Sequence, residues 1–383
     1  MPVTLPEKLQ KIQIALGSAT GEIAEKKLVE AVKTELPLIS DQQALEVVDG
    51  LIDDIQGFGK LDKLITTPGV TDVLVNGPDQ VWYDCGSGLQ KADVQWKSEQ
   101  ELRDYVTRLA SLRYRRLDEN QPFVDVRLHQ GVRMHAIIPP LSQSGTCVSF
   151  RIPNQQARTL NQLMVMKMFD DELCNLLKWI MQSGVSFLIC GGTGSGKTTL
   201  LGAMLNEVAS DERIVVVEDL FELQLSHNHV INLQARQPNV EGNGEVSMRQ
   251  LVRQTLRMRP NRIVVGEVRG VEILDLFTAL NTGHTGGCAT IHANSAHDVS
   301  ARIEALGLLA GIPSEATHRL FGSAIKLIIE LGIVPSVGRR VNGIYLAEYK
   351  NKQVSMSTIW NQHSSPNIKE CLDTLQSLIA PLS

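Results

Sequence analysis

The stretch Gly191-Gly192-Thr193-Gly194-Ser195-Gly196-Lys197-Thr198 fits the pattern G-x-x-x-x-G-K-[ST] at every fixed position. Before it, Val185-Ser186-Phe187-Leu188-Ile189-Cys190 reads as a short buried strand; after it, Thr199-Leu200-Leu201 through Val208 reads as a helix. Strand, glycine loop and helix are the context in which this pattern cradles phosphate. Glycines let consecutive N–H groups curl around one anion, the new helix presents its positive end, and Lys197 neutralises the outer phosphates. Gly191, Gly192, Thr193, Gly194, Ser195, Gly196, Lys197, Thr198 and Thr199 are therefore candidate nucleotide-binding residues, with Thr198 on Mg²⁺. The bland alternative is a glycine turn between a strand and a helix. Against it, Lys197 is the only lysine between Lys178 and Lys326, in a span where arginine recurs.

A chain of 383 residues suits two domains. A net charge of −5, with 4% aromatic residues, argues against a nucleic-acid surface built on basic patches and stacking rings. Cys85, Cys147, Cys174, Cys190, Cys288 and Cys371 include no C-x-x-C pair and read as reduced thiols, which fits a cytoplasmic protein. No segment approaches the ~20 apolar residues of a spanning helix, so any membrane role is expected to be peripheral.

The expected organisation has five parts. Residues 1–56 read as a helical lead-in, with amphipathic helices at Glu22–Leu36 and Asp41–Ile55. Residues 57–153 read as an α+β domain. It holds a hairpin of Val70–Val75 and Val81–Tyr83 around Asn76-Gly77-Pro78-Asp79, a helix from Glu101 to Leu112, and a second hairpin around His129-Gln130-Gly131. Residues 154–169 read as a linker. Residues 170–300 read as the nucleotide-binding core, with a helix opening at Asp170-Asp171-Glu172 and strands at Val185–Cys190, Ile214–Val217, Val230–Leu233, Ile263–Val265 and Cys288–Ile291. The alternation predicts a largely parallel α/β sheet. Residues 301–383 read as helical, with a terminal hairpin between Gly338 and Tyr349.

In such a sheet, ligands sit beyond the carboxyl ends of the strands. Two predicted strands end in acids there, Glu218-Asp219 and Glu267. Such carboxylates can orient Mg²⁺ or take a proton from an attacking water; Glu267 is the candidate for the proton, Glu218 and Glu222 for the metal side, and the bland alternative is a solvated helix cap. His292 follows the strand Cys288–Ile291, where it could hydrogen-bond a terminal phosphate. A metal site with Cys288, four residues away, lacks a second pair, and a plain capping histidine is the commoner role.

From Ser98 to Met166 there are nine arginines and no lysine. With His129-Gln130-Gly131 as the hairpin loop, Arg127 falls opposite Arg133, Val126 opposite Met134, and Asp125 opposite His135. Opposed arginines repel unless an anion or carboxylate lies between them. Phosphate oxygens suit the guanidinium fork, and Asp125 is the competing partner.

These residues resemble the secretion and pilus-assembly ATPases of type II and type IV systems, closest to the Flp/Tad-pilus branch. Four stretches carry the resemblance: Gly191–Thr198, the acidic box Glu218–Glu222, the run Leu256–Gly270, and the histidine box Gly283–Asn294. In the first domain, Val70–Gly77 and Asp118-Glu119-Asn120-Gln121-Pro122 also match. The resemblance implies a RecA-like P-loop domain preceded by a smaller α+β, PAS-like domain. It implies a homo-oligomer, a hexameric ring, that binds ATP and Mg²⁺ and works at the cytoplasmic face of the membrane on an inner-membrane platform protein. It also implies that Arg127, Arg133 and Arg151 reach the phosphates, that Glu267 is the catalytic glutamate, and that His292 lies near the terminal phosphate. Asn261 departs from the family's usual aspartate. The four-cysteine metal motif of some branches is absent, and Gly338–Ser383 matches poorly. The expected function is ATP-driven pilus assembly or protein secretion, with a type IV secretion or conjugation ATPase as the alternative. A kinase, a DNA-handling motor and a non-hydrolysing scaffold are the other classes weighed.

Overall fold

The computed structural model describes residues 57–379 apart from 87, 114, 154–156, 237–243, 285, 335–336 and 363–367. The helical lead-in expected at 1–56 lies outside the described residues. The chain separates into two compact units, Met1–Asn154 and Gln155–Ser383.

The first unit is built on one antiparallel sheet. Its strands are β1 (Asp72–Val75), β2 (Val81–Asp84), β3 (Leu89–Lys91), β4 (Phe123–Arg127), β5 (Arg133–Ile137) and β6 (Cys147–Arg151), in the order β3-β2-β1-β6-β5-β4. Short helix α1 (Asp62–Ile65) precedes the sheet, and α2 (Glu99–Ser111) lies between β3 and β4. Strand alternation sorts the residues: Val73, Val75, Val124, Val126, Met134, Ala136, Val148 and Phe150 are buried in one core with Leu102, Val106 and Leu109 of α2. Ser98 caps α2 by accepting from the backbone N–H of Glu101 at 3.2 Å. Both expected hairpins form, and the β4–β5 register pairs Arg127 with Arg133, Val126 with Met134 and Asp125 with His135.

In the second unit, six strands run parallel: β7 (Phe187–Cys190), β8 (Ile214–Glu218), β9 (Val230–Gln234), β10 (Arg262–Val268), β11 (Cys288–Ile291) and β12 (Leu327–Val334). Antiparallel β13 (Gly338–Lys350) and β14 (Gln353–Asn361) complete the order β14-β13-β12-β7-β11-β10-β8-β9. Every residue of β7 and β11 is buried, as expected for central strands covered on both faces. Helices α3 (Leu160–Val165), α4 (Asp171–Gln182) and α5 (Lys197–Leu205) pack on one side. On the other lie α6 (Met248–Thr255), α7 (Glu272–Asn281), α8 (Ala296–Leu309) and α9 (Ser314–Ala324). Helix α10 (Ile368–Ile379) sends Cys371 and Leu375 into the α4 side. The face of α4 expected from its spacing, Leu173, Leu176, Leu177, Ile180 and Met181, is buried, and Asp170 caps it at 2.9 Å through the Leu173 N–H.

Two sequence expectations are corrected. The 154–169 linker contains α3: Thr159 and Gln162 form a capping box, and Leu160, Leu163, Met168 and Phe169 are core residues. The C-terminal region is not predominantly helical, because Leu327–Asn361 adds three strands to the sheet. Leu327-Ile328-Ile329-Glu330-Leu331 is a short apolar run whose period does not separate helix from strand. Pairing with β7 decides it, burying Leu327, Ile328 and Ile329 completely. The stretch expected as a hairpin, Gly338–Tyr349, lies within the single strand β13, and the hairpin it makes with β14 turns at Asn351-Lys352, both at positive φ.

Candidate nucleotide-binding site

Sheet order brings the candidate residues of the second unit together. The glycine loop follows β7, His292 follows β11, Glu267 lies near the end of β10 and Glu218 ends β8, and these four strands are consecutive neighbours. Gly191, Gly194 and Gly196 all have positive φ, which L side chains adopt at a cost. A Cβ on Gly191 would stand 2.5 Å from the Leu331 carbonyl oxygen and 2.7 Å from Ser195 Oγ, so the loop tolerates no side chain there. Gly192 and Gly194 face open space, and Thr193 is exposed while Thr198 and Thr199 are half-buried in the first turn of α5. The buried Ser195 Oγ has no hydrogen-bond partner among the described residues. An orphaned donor inside a glycine cradle fits an anionic ligand.

Lys197 is 7% exposed and lies back along its own loop, donating to the Gly191 and Gly192 carbonyls at 3.0 and 2.9 Å. Burial pushes its pKa below the ordinary 10.5 against the pull of Glu267. Its Nζ is 3.4 Å from His292 Nδ1, and His292 Nε2 is 2.6 Å from Glu267 Oε1. One tautomer satisfies both contacts: Lys197 donates to an unprotonated Nδ1, and Nε2–H donates to the carboxylate. Burial and the Lys197 ammonium hold the His292 pKa below 6.5, outweighing Glu267, which favours the neutral ring this tautomer requires. The sign follows: the folded state binds fewer protons here than the unfolded chain, so this group removes stability as pH falls below 6.5 and leaves it unchanged above. An NMR titration of the His292 ring is expected to give a midpoint below that of a histidine peptide; a midpoint above it contradicts this electrostatic picture.

Glu267 owes its direction to a one-residue bulge. Between Val265 and Val268 the β10–β11 register shifts, and Thr290 Oγ1 donates to the Gly266 carbonyl at 2.6 Å. Its other oxygen, Oε2, accepts from Arg269 Nε and Nη2 at 2.9 and 2.5 Å, and Arg269 also pairs with Asp219 at 3.6 Å. Glu218 is 3% exposed, and its Oε1 accepts from the backbone N–H groups of Glu222 and Leu223 at 3.1 and 3.0 Å. It thereby shapes the acidic box. Gly266 makes room for it, since a Cβ there would stand 2.6 Å from Glu218 Cγ. Glu222 itself is exposed. Asn261 accepts from the Arg213 N–H at 2.8 Å, a role its amide oxygen fills without a carboxylate. Cys288 and His292 bracket opposite ends of β11, and no group of three metal-ligating side chains occurs among the described residues.

The arginine candidates belong to the first unit. Arg133 stands directly opposite Arg127 on one side and Arg151 on the other, so the three form a row across β4, β5 and β6. Asp72 continues the row opposite Arg151. Asp125 lies 3.4 Å from Arg133 and 3.1 Å from His135, so the competing carboxylate is also in place. Gly131 lets the Arg127 fork approach the hairpin loop, where a Cβ would stand 3.3 Å from Nη2.

Sequence reasoning missed Arg269 and Arg339. Arg269 lies two residues past Glu267, so strand alternation could have put the two on one face. Arg339 donates from Nε to the Gly194 carbonyl at 2.6 Å, across 145 residues of chain. No local pattern announces that contact.

The sequence profile of the type II/IV secretion system protein family matches residues 54–374. A Mycobacterium tuberculosis protein named as a conjugal transfer protein is 43% identical over 330 residues, covering 85% of this chain and 94% of its own. The conjugal transfer protein TrbB of Rhizobium radiobacter is 30% identical over 288 residues, 74% of this chain and 85% of its own. The crystal structure of the pilus retraction motor PilT with bound ADP shares the fold with a TM-score of 0.53 and 18% identity, covering 84% of this chain and 88% of that one. This chain belongs to the type II/IV secretion system protein family.

Proposed function

We propose that the chain is an ATPase that powers transport through a type IV secretion machine of the conjugal-transfer kind. The observation that carries the reading is the contact chain from Lys197 through His292 to Glu267 beside the glycine loop. Relatives named as conjugal transfer proteins favour this over the Flp/Tad pilus reading drawn from the sequence. Gene neighbours separate the two, because mating-channel genes differ from pilin and platform genes.

In the proposed reaction, water attacks the γ-phosphorus, the bond to the bridging oxygen breaks, and ADP leaves with that electron pair. Glu267 orients the water and takes its proton, while neutral His292 steadies the carboxylate by donating from Nε2. Lys197 and the loop N–H groups stabilise charge on the transferred group. Magnesium, when bound, would screen the phosphates, with Thr198 holding it directly and Glu218 through a water. Arg127, Arg133 and Arg151 are the first unit's contribution to the phosphate charge. We further propose a hexameric homo-oligomer at the cytoplasmic face of the inner membrane, acting on a membrane platform protein. Among the described residues no helix is long and apolar enough to cross a membrane.

Purified protein is expected to hydrolyse ATP, with a chelator of divalent cations stopping turnover. Arg127→Ala and Arg133→Ala are each expected to lower kcat/KM by about tenfold or more, the effect of losing a charge-assisted hydrogen bond. Absence of turnover in the wild type contradicts the enzymatic reading. Unchanged turnover in both variants contradicts only the role of the arginine row.

A further inference from the structure

Arg339 is the second residue of β13, in the β12–β13 extension, a segment to which none of the four sequence motifs extends. Its position is set by backbone pairing. Ile333 of β12 lies opposite Arg339, the Val341 N–H donates to the Met168 carbonyl at 3.0 Å, and β12 runs beside β7, from which the glycine loop springs. The side chain crosses the loop. Nε donates to the Gly194 carbonyl, and a Cβ on Gly196 would stand 3.3 Å from Arg339 Cδ. Gly196 therefore serves two purposes, its left-handed φ of 95° at the start of α5 and a flat bed for the arginine stem.

Among the described residues, some arginines of the second unit are ion-paired and others, including Arg339 and the adjacent Arg340, are not. Arg262 is paired with Glu212, Arg269 with Glu267 and Asp219, and Arg249 and Arg253 with Asp275. Arg339 is exposed and, among the described residues, has no carboxylate partner; its one hydrogen bond is to a neutral carbonyl. A guanidinium has five N–H donors in a planar fork, so those on Nη1 and Nη2 remain for a ligand. Held over an anion-binding loop, they suit phosphate oxygens.

We propose that Arg339 is a nucleotide-phosphate-binding residue, supplied to the loop by the C-terminal sheet extension and contacting the phosphates that ADP and ATP share. The proposal rests on the nucleotide reading of Gly191–Thr198. A contact made equally before and after hydrolysis changes binding rather than the chemical step. Arg339 thus acts as an affinity residue, distinct from Glu267.

The test uses the full chain and a fluorescent ADP analogue, with unlabelled ADP and inorganic pyrophosphate as competitors. Arg339→Gln is expected to weaken both competitors by about tenfold or more, raise KM for ATP similarly, and leave kcat within about twofold. Arg339→Lys, which keeps the charge without the fork, is expected to recover part of the loss. Thermal unfolding of each ligand-free variant shows that it folds. Wild-type affinity for ADP in Arg339→Gln overturns the proposal. So does a loss for ADP with none for pyrophosphate, which places the contact on the nucleoside, or a fall in kcat at unchanged affinity, which makes Arg339 a loop brace. Failure of the underlying reading looks different: the wild type itself binds no ADP, or binds it no better than Lys197→Ala.

Discussion

Lys197→Ala is expected to reduce ATP turnover by at least about a thousandfold and to weaken nucleotide binding. The side chain is the buried positive charge inside the glycine loop, and removing one preorganised charge-stabilising donor from such a site costs about 10²–10³ in kcat. Here a full charge is lost, along with ground-state affinity for the phosphates. The variant also strands the Gly191 and Gly192 carbonyls and the Nδ1 lone pair of His292. A buried group left unpaired costs about 1–3 kcal/mol; Gly191 is buried while Gly192 and His292 reach solvent, so only modest destabilisation is expected. Lys197→Met keeps most of the volume and distinguishes lost charge from a loosened loop. Turnover within tenfold of wild type in both variants contradicts the assignment.

Glu267→Gln is expected to lower kcat by about 10²–10⁴, the range supplied by a positioned general base, while leaving nucleotide affinity near wild type. The amide is isosteric and retains an oxygen that can accept from His292 Nε2 or from Arg269, so the bulged end of β10 keeps its shape. It cannot take a proton at neutral pH. Its NH₂ group meets the Arg269 fork or the imidazole N–H, donor against donor, which loosens one of the two contacts. Glu267→Asp is a useful companion: it retains a base but shortens the reach, and an intermediate rate is expected.

The parallel sheet was legible because its central strands are apolar on both faces and bounded by glycine or acidic turns. Ile214–Val217 and Phe187–Cys190 contain no polar residue, and a run that short and that apolar has few other places to go. The β4–β5 register was legible because a three-residue loop fixes the pairing once Val126 and Met134 are required to share the core face. The β12–β14 extension was not legible. Glu330 interrupts its apolar run, and the reason for that acid is tertiary: its side chain accepts from the Ala296 N–H at 2.7 Å, the entry to α8 just after the histidine box. The glycine loop, Glu267 and His292 could be named from motif and strand position alone. Arg269 was within reach of the same reasoning, two residues past Glu267, whereas Arg339 was not, since its contact depends on a strand 145 residues away folding back beside the loop.

We propose that Glu267 turns over a nucleotide held by the Lys197 loop. The most direct test is the identity of nucleotide retained by purified Glu267→Gln after incubation with ATP and magnesium, read by chromatography of the denatured complex. Intact ATP is expected in the variant, ADP in the wild type and no retained nucleotide in Lys197→Ala. ADP accumulating in Glu267→Gln at the wild-type rate would contradict the proposal.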